Sequence, residues 1–226
     1  MRTATLSMND GTKVVVADTL ESITGYVLLE QQDWFEDEIK FLRNVLRPGE
    51  CFIDIGANHG VYCLSLAQRI LPEGKAWAFE PATTTARYLE QSISENGLTS
   101  VIHLEKSALS DHTGNATLAL NADSEMNAVV KDDSFAGACE QISLDTLDAC
   151  MDRFQWTQIA FVKIDAEGEE ANILKGGTRF FAAQSPLVMY EVKAGADYHL
   201  ELVDAFSDMG YNSYRLVPGL DILVPF

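Results

Sequence analysis

Hydrophobic positions follow two rhythms along this chain. Near the N-terminus, short runs at 3–8 and 13–17 flank Asn9-Asp10-Gly11. An Asp-Gly pair between strand-like runs predicts a β-hairpin. YVLLE (26–30) reads as a further short strand. Then Phe35, Ile39, Leu42 and Leu46 recur at helical spacing, with Trp34, Phe41 and Val45 widening the face. Asp33 and Glu36 have the spacing of a capping box, and Pro48-Gly49 is a stop.

From residue 51 onward strands and helices alternate. CFIDI (51–55), KAWAFE (75–80), SVIHLEK (100–106), IAFVKID (159–165) and PLVMYEV (186–192) read as strands. The last two are nearly continuous apolar runs, as buried parallel strands are. VYCLSLAQRIL (61–71), ATTTARYLEQSISEN (82–96), EGEEANILKGG (167–177) and YHLELVDAFSDMG (198–210) read as helices. Residues 107–158 break the rhythm: NATLAL and MNAVVK predict an inserted hairpin, and QISLDTLDACM a strand followed by a helix. YNSYRLV and DILVPF predict a terminal antiparallel hairpin. The β-α order predicts an α/β fold, a central, mostly parallel twisted sheet with helices on both faces. One domain accounts for 1–226, with an N-terminal strand and hairpin extension over 1–32 and a core over 33–226. The apolar end, Leu223 to Phe226, reads as the edge of a piece cut from a longer protein.

Composition narrows the partners. A net charge of −18 repels nucleic acid and anionic lipid surfaces, and no basic run offsets it. Cys51, Cys63, Cys139 and Cys150 form no CxxC pair and read as reduced thiols, not zinc ligands. No stretch has the length of a membrane span, and the N-terminus lacks a signal sequence, so a cytoplasmic location is expected.

The candidate chemistry begins at CFIDIGANHGVYCLSLA (51–67), a strand running through a glycine turn into a helix. It lacks the lysine of a phosphate-binding GxxxxGK[ST] loop. Gly56 and Gly60 do not have the GxGxxG spacing of a dinucleotide loop, which disfavours a nicotinamide-dependent oxidoreductase. Asp54, just before the turn, would repel a pyrophosphate. It suits a ligand with a cationic group or free hydroxyls. S-adenosylmethionine has both, and Glu80 at the tip of the next strand can accept its two ribose hydroxyls.

With these motifs in place, the chain resembles the FkbM family of class I S-adenosylmethionine-dependent methyltransferases. The resemblance rests on FIDIGANHGVYCL, AFEP (78–81), NGL with the following ALSD, and FVKIDAEGEEANILKGG (161–177). It implies a Rossmann-like methyltransferase fold with S-adenosylmethionine as cofactor. It also implies O-methylation of a hydroxyl on a small molecule or sugar, with neither nucleic acid nor membrane as partner. Asp54, Gly56, Asn58, Gly60 and Glu80 are then the cofactor-binding residues, and Ser107 and Ala108 fall where this fold meets adenine. Asp165 and Glu167 become catalytic-side residues, and Glu191 is a third acid at the same rim. Glu169 and Glu170 read as acids favoured by a helix dipole. Lys163 either offsets the acids or forms a structural ion pair.

His59 lies in the loop on the substrate side, His103 alternates as a core residue does, and His112 and His199 read as surface. Methyl transfer needs an acceptor aligned with the methyl–sulfur axis and its proton removed. A carboxylate or histidine can take the proton, or a divalent cation can acidify the hydroxyl, though no metal-ligand set is predicted. A domain that binds S-adenosylmethionine without turnover is the alternative of a different class.

Overall fold

The computed structural model describes residues 2–20, 22–121, 123–131, 135–191 and 200–226. The chain opens with the predicted hairpin, β1 (Thr3–Ser7) and β2 (Lys13–Ala17), turned by Gly11 at φ +87°. Its Val14, Val15 and Val16 are buried, and the Val15 amide donates to Ser92 Oγ at 2.8 Å. The N-terminal extension is thereby packed into the core.

Two expectations for the next segment fail. The strand predicted over 26–30 is a helix, α1 (Ile23–Gln31). Ser22 caps it by accepting the Gly25 amide at 3.1 Å, and Gln32 closes it in the left-handed region. Helix α2 (Asp37–Val45) starts later than the predicted capping box. Asp33 is drawn away to Arg43, whose guanidinium gives it two hydrogen bonds at 2.8 and 3.0 Å. Phe35 consequently stands 53% exposed, while Ile39 and Leu42 carry the buried face.

The core follows as β3 (Cys51–Ile55), α3 (Val61–Ala67), β4 (Lys75–Phe79), α4 (Thr83–Glu95) and β5 (Ile102–Glu105). The insertion holds β6 (Ser107–Leu109), β7 (Gly114–Ala119), β8 (Ala128–Val129) and β9 (Cys139–Asp145). Then come α5 (Leu147–Phe154), β10 (Phe161–Ile164), α6 (Glu170–Lys175), α7 (Thr178–Gln184), β11 (Leu187–Tyr190), α8 (Leu200–Asp208), β12 (Tyr214–Val217) and β13 (Ile222–Pro225). The central sheet is parallel throughout, in the order β11-β10-β3-β4-β5. One face packs on the N-terminal hairpin and α2 to α4, the other on α5 to α8. The predicted terminal hairpin is present as β12-β13.

The predicted inserted hairpin, β7 with β8, is part of a four-stranded sheet ordered β6-β9-β7-β8. Strand β11 was expected to be buried, but it sits at the sheet edge among the described residues, with Leu187 41% exposed. The helix expected over 167–177 begins at Glu170, because Glu167 and Gly168 adopt positive φ of 50° and 98°. The start of the helix expected over 198–210, with His199, lies outside the described residues. No helix of the described residues is long and apolar enough to cross a membrane.

Strand order reverses between β3 and β10, so the crevice at their carboxyl ends is where open α/β sheets hold ligands. Arg43 ties the N-terminal segments to α3 beside this crevice. Besides Asp33, it meets Asp10 at 3.2 Å and donates to Ser65 Oγ at 2.8 Å. Burial alone would raise both aspartates. Hydrogen bonds from Ser65 to Asp10 and from Arg43 to Asp33 hold them below the ordinary value of 3.8. Arg43→Ala should cost about 2 kcal/mol at neutral pH, since it leaves two part-buried carboxylates without their cation. Carboxylates held low add stability above their unfolded pKa and lose it as pH falls through the folded one. The wild-type advantage in urea denaturation should therefore shrink below about pH 4. An advantage constant down to about pH 2 would show that this network is not its source.

Candidate active site

The turn after β3 is built from backbone. The amides of Gly56 and Ala57 both donate to Phe79 O, the end of β4, at 3.0 Å. Gly56 has φ +73°, and a Cβ there would stand 1.8 Å from Asp165 O. Only glycine lets the ends of β3 and β10 come this close. Asn58 is also left-handed, at φ 49°. Its amide donates to Glu80 Oε2 at 2.9 Å, and the Ala82 amide to Glu80 Oε1 at 2.8 Å. Glu80 is buried, and burial pushes its carboxyl up to about 7 against those two amides. Each oxygen keeps a lone pair for a ligand.

Across the crevice, β10 delivers a buried cation and an acidic loop. Lys163 Nζ lies 2.7 Å from Asp165 Oδ2 and 4.0 Å from Asp54 Oδ1. Desolvation would lower its pKa, but the two aspartates raise it on balance, so it stays charged. Lys163 thus offsets the acids and is also a structural ion pair. Glu170 shapes the loop by accepting the Ala166 and Gly168 amides at 3.1 and 3.2 Å. Glu169 is more than an acid at a helix start. It is buried and bonded to Ser110 Oγ and Asn172 Nδ2, both at 2.9 Å, and Lys131 Nζ is 3.4 Å away. Carboxylate oxygens of Asp165, Glu167 and Glu191 all lie within 4.8 Å of one another. Partial burial pushes Glu191 up to about 7, reinforced by the charge of Asp165, a hydrogen bond with it, and the charge of Glu167.

A cavity of about 290 Å³ fills the crevice. Of the residues singled out in the sequence, Gly56, Asn58, Glu80, Ser107, Ala108, Asp165, Glu167 and Glu191 line it. Ser107 and Ala108 reach it as the first residues of β6, and the buried Ser107 Oγ has no partner among the described residues. Asp54 and Gly60 do not line it. Gly60 serves packing: at φ +86° it caps α3, and a Cβ would meet Leu89 Cδ1 of α4 at 2.3 Å. Asp54 faces a smaller cavity of about 60 Å³ that shares Gly56, Asn58 and Asp165 with the first. It is 1% exposed, and neither carboxylate oxygen has a hydrogen-bond partner among the described residues. Burial pushes its carboxyl up, with Lys163 opposing.

The histidines hold little of the chemistry. His59 lines the smaller cavity, stacks on Tyr88 at 5.8 Å and is pushed down to about 4 by burial. It is neutral at pH 7 and a weak base. His103 is exposed beside Glu105, not in the core, because its side of β5 faces out. His112 is exposed as expected.

The roof of the cavity escapes sequence reading. Ile23 of α1, the Trp34-Phe35-Glu36 segment and residues 124–127 of the insertion all line it. Side chains latch these pieces together. Ser124 Oγ donates to Asn58 Oδ1 at 2.9 Å, and Glu125 accepts the Thr24 amide at 3.1 Å and the Thr24 hydroxyl. Asp123 accepts the Ile23 amide at 3.3 Å. The aromatic pair after Asp33 was the one available signal, hidden by its fit to a helical face.

Residues 54–213 match the sequence model described as Methyltransferase FkbM domain. No curated protein matches the chain. Among solved structures, the chain is similar to the FkbM methyltransferase of Methylobacillus flagellatus, with 19% identity and a TM-score of 0.58. That match covers 79% of this chain and only 43% of the other, so this chain spans less than half of its length. A SAM-dependent O-methyltransferase of Thermotoga maritima matches with 14% identity and a TM-score of 0.48, over 99% of this chain and 71% of that one. The architecture is thus the Rossmann-like class I methyltransferase fold, and the chain belongs to the FkbM methyltransferase family.

Proposed function

We propose that this chain transfers a methyl group from S-adenosylmethionine to a hydroxyl of a small molecule or sugar. The observation that carries this reading is the pair of buried acids at the β3–β4 end of the crevice. Asp54, with Lys163 at 4.0 Å as its nearest cation, has no hydrogen-bond partner among the described residues and faces the smaller cavity. Glu80 holds two backbone amides and retains acceptor capacity toward the larger cavity. A buried carboxylate short of hydrogen bonds is costly unless a ligand supplies them.

The donor fits this set on four counts. Its ammonium would pair with Asp54, its ribose hydroxyls with Glu80, its backbone-hugging part with the bare edge of Gly56, and an adenine edge with the unpartnered Ser107 Oγ. When bound, S-adenosylmethionine supplies a methyl made electrophilic by its sulfonium. The chain's own work is orientation, water exclusion and proton handling. Lys163 pairs with Asp165 at 2.7 Å and holds its carboxylate in place. Glu191, raised to about 7, is matched to accept the proton of an acceptor hydroxyl near neutral pH. The same three carboxylates have the spacing to hold a divalent cation, a role the proposal does not need.

Thermal unfolding with excess S-adenosylhomocysteine should raise Tm, and NAD should not. At a concentration of ~100 Kd the ligand adds ~2.7 kcal/mol, a rise of roughly 5–10 °C for a domain of this size. A rise with NAD alone would return the site to dinucleotide chemistry. Asp54→Asn should weaken S-adenosylhomocysteine binding at least ~10-fold by calorimetry, because the ammonium loses its charged partner. Unchanged affinity would remove Asp54 from the donor site.

Glu191→Gln should lower kcat about 100-fold while leaving S-adenosylhomocysteine affinity intact. A base works deprotonated, so wild-type kcat should rise with pH through about 7 and then level. Binding without turnover by any acceptor, and no loss in this variant, would point to a scaffold instead.

A further inference from the structure

The methyltransfer reading above leaves one group of the donor unplaced, its carboxylate. The smaller cavity bears on it. Trp34 and His59 line the same space of about 60 Å³ as Asp54. Trp34 Nε1 and His59 Nδ1 are both buried with no hydrogen-bond partner among the described residues. His59 is 4% exposed, and its ring is fixed by stacking on Tyr88. An indole N–H can only donate, and a neutral imidazole has one N–H that Nδ1 can carry. Buried donors of this kind cost free energy until an acceptor meets them.

The cavity thus offers unpartnered atoms of both kinds, the acceptor oxygens of Asp54 and two ring nitrogens that can donate. Lys163 lines the same wall, 4.0 Å from Asp54, so negative and positive charge stand side by side. An α-amino acid end, with its ammonium and carboxylate one carbon apart, is the complement of such a wall. Trp34, Gly56 and Asn58 line both cavities, so a ligand with its ribose at Glu80 in the larger one continues into the smaller. The Trp34 amide donates to Asp33 Oδ1 at 2.8 Å, and Arg43 in turn holds Asp33, which anchors the indole from the backbone. Trp34 also precedes residues 54–213, which carry the family match.

We infer that the smaller cavity holds the zwitterionic end of the donor, and that Trp34 Nε1 and His59 Nδ1 donate to its carboxylate while Asp54 takes its ammonium. Trp34 and His59 are then specificity residues, which select a donor with an intact amino acid end over one that has lost its carboxylate. Neither ring needs to change charge for this.

A matched pair of ligands tests it. The decarboxylated analogue of S-adenosylhomocysteine keeps the adenosine, thioether and ammonium and lacks only the carboxylate. Calorimetry should show the wild type binding S-adenosylhomocysteine at least ~10-fold tighter than the analogue. Trp34→Phe keeps a ring and removes the N–H. It should weaken S-adenosylhomocysteine roughly tenfold and leave the analogue within about twofold, so that the ratio collapses. His59→Phe, which can still stack on Tyr88, should narrow the same ratio. Equal affinities of the two ligands for the wild type overturn the inference. So does a ratio that neither substitution moves, whether affinity is unchanged or both ligands are lost equally, since the rings would then serve packing alone. Movement by one substitution only assigns the carboxylate to that residue and overturns the role of the other. Failure of S-adenosylhomocysteine itself to bind the wild type would instead overturn the methyltransfer reading on which this rests.

Discussion

The close approach of β3 and β10 at their carboxyl ends is the constraint on which the rest of the site depends. Gly56 meets the backbone carbonyl of Asp165, and a carbonyl cannot swing aside as a side chain can. The parallel register pairs Asp54 with Lys163 and Phe52 with Phe161, so the two strands end level. The turn over 56–60 and the acidic loop from Asp165 therefore open into one crevice. A larger residue at position 56 would force the two strands apart and split it.

This geometry gathers like charges, and the fold spends specific contacts to hold them. Glu80 is kept by two amides, Glu170 by two more, and Glu169 by Ser110, Asn172 and Lys131. Lys163, itself buried, sits between Asp54 and Asp165. Burial, with the charge of neighbouring acids adding to it, pushes the carboxyls of Glu80 and Glu191 up to about 7. Strain of this kind is tolerated where a ligand relieves it. The overall charge of −18 adds to the field but does not create it, because the decisive groups lie within a few ångström of one another.

The roof shows how distant segments complete a Rossmann-like site. Helix α1 and the insertion are about a hundred residues apart, as the 101-residue gap between Thr24 and Glu125 records. Acids of the insertion meet the amides that open α1, the end of a helix that favours negative charge. Ser124 then ties the same piece to Asn58 of the turn. Such a roof can differ between relatives while the floor stays, which is how one fold serves many acceptors.

Local chemistry along the chain was enough to determine the strand–turn–helix at 51–67, the β-α alternation, both end hairpins and the acids at the strand tips. Periodicity, glycine turns and helix stops are properties of neighbouring residues and need no partner to be read. Legibility ended where partners came from elsewhere. Asp33 had the spacing of a cap, yet Arg43 took it, and residues 26–30 had the composition of a strand, yet Ser22 and Gln32 closed a helix around them. Glu169 looked like one more acid at a helix start until Ser110 and Lys131 buried it. Gly60 and Asp54 belonged to the right motif, but only packing assigned one to the α3–α4 contact and the other to a smaller cavity. Tertiary structure decided these points because burial, desolvation and long-range pairing depend on which surfaces meet, and that is absent from any window of sequence.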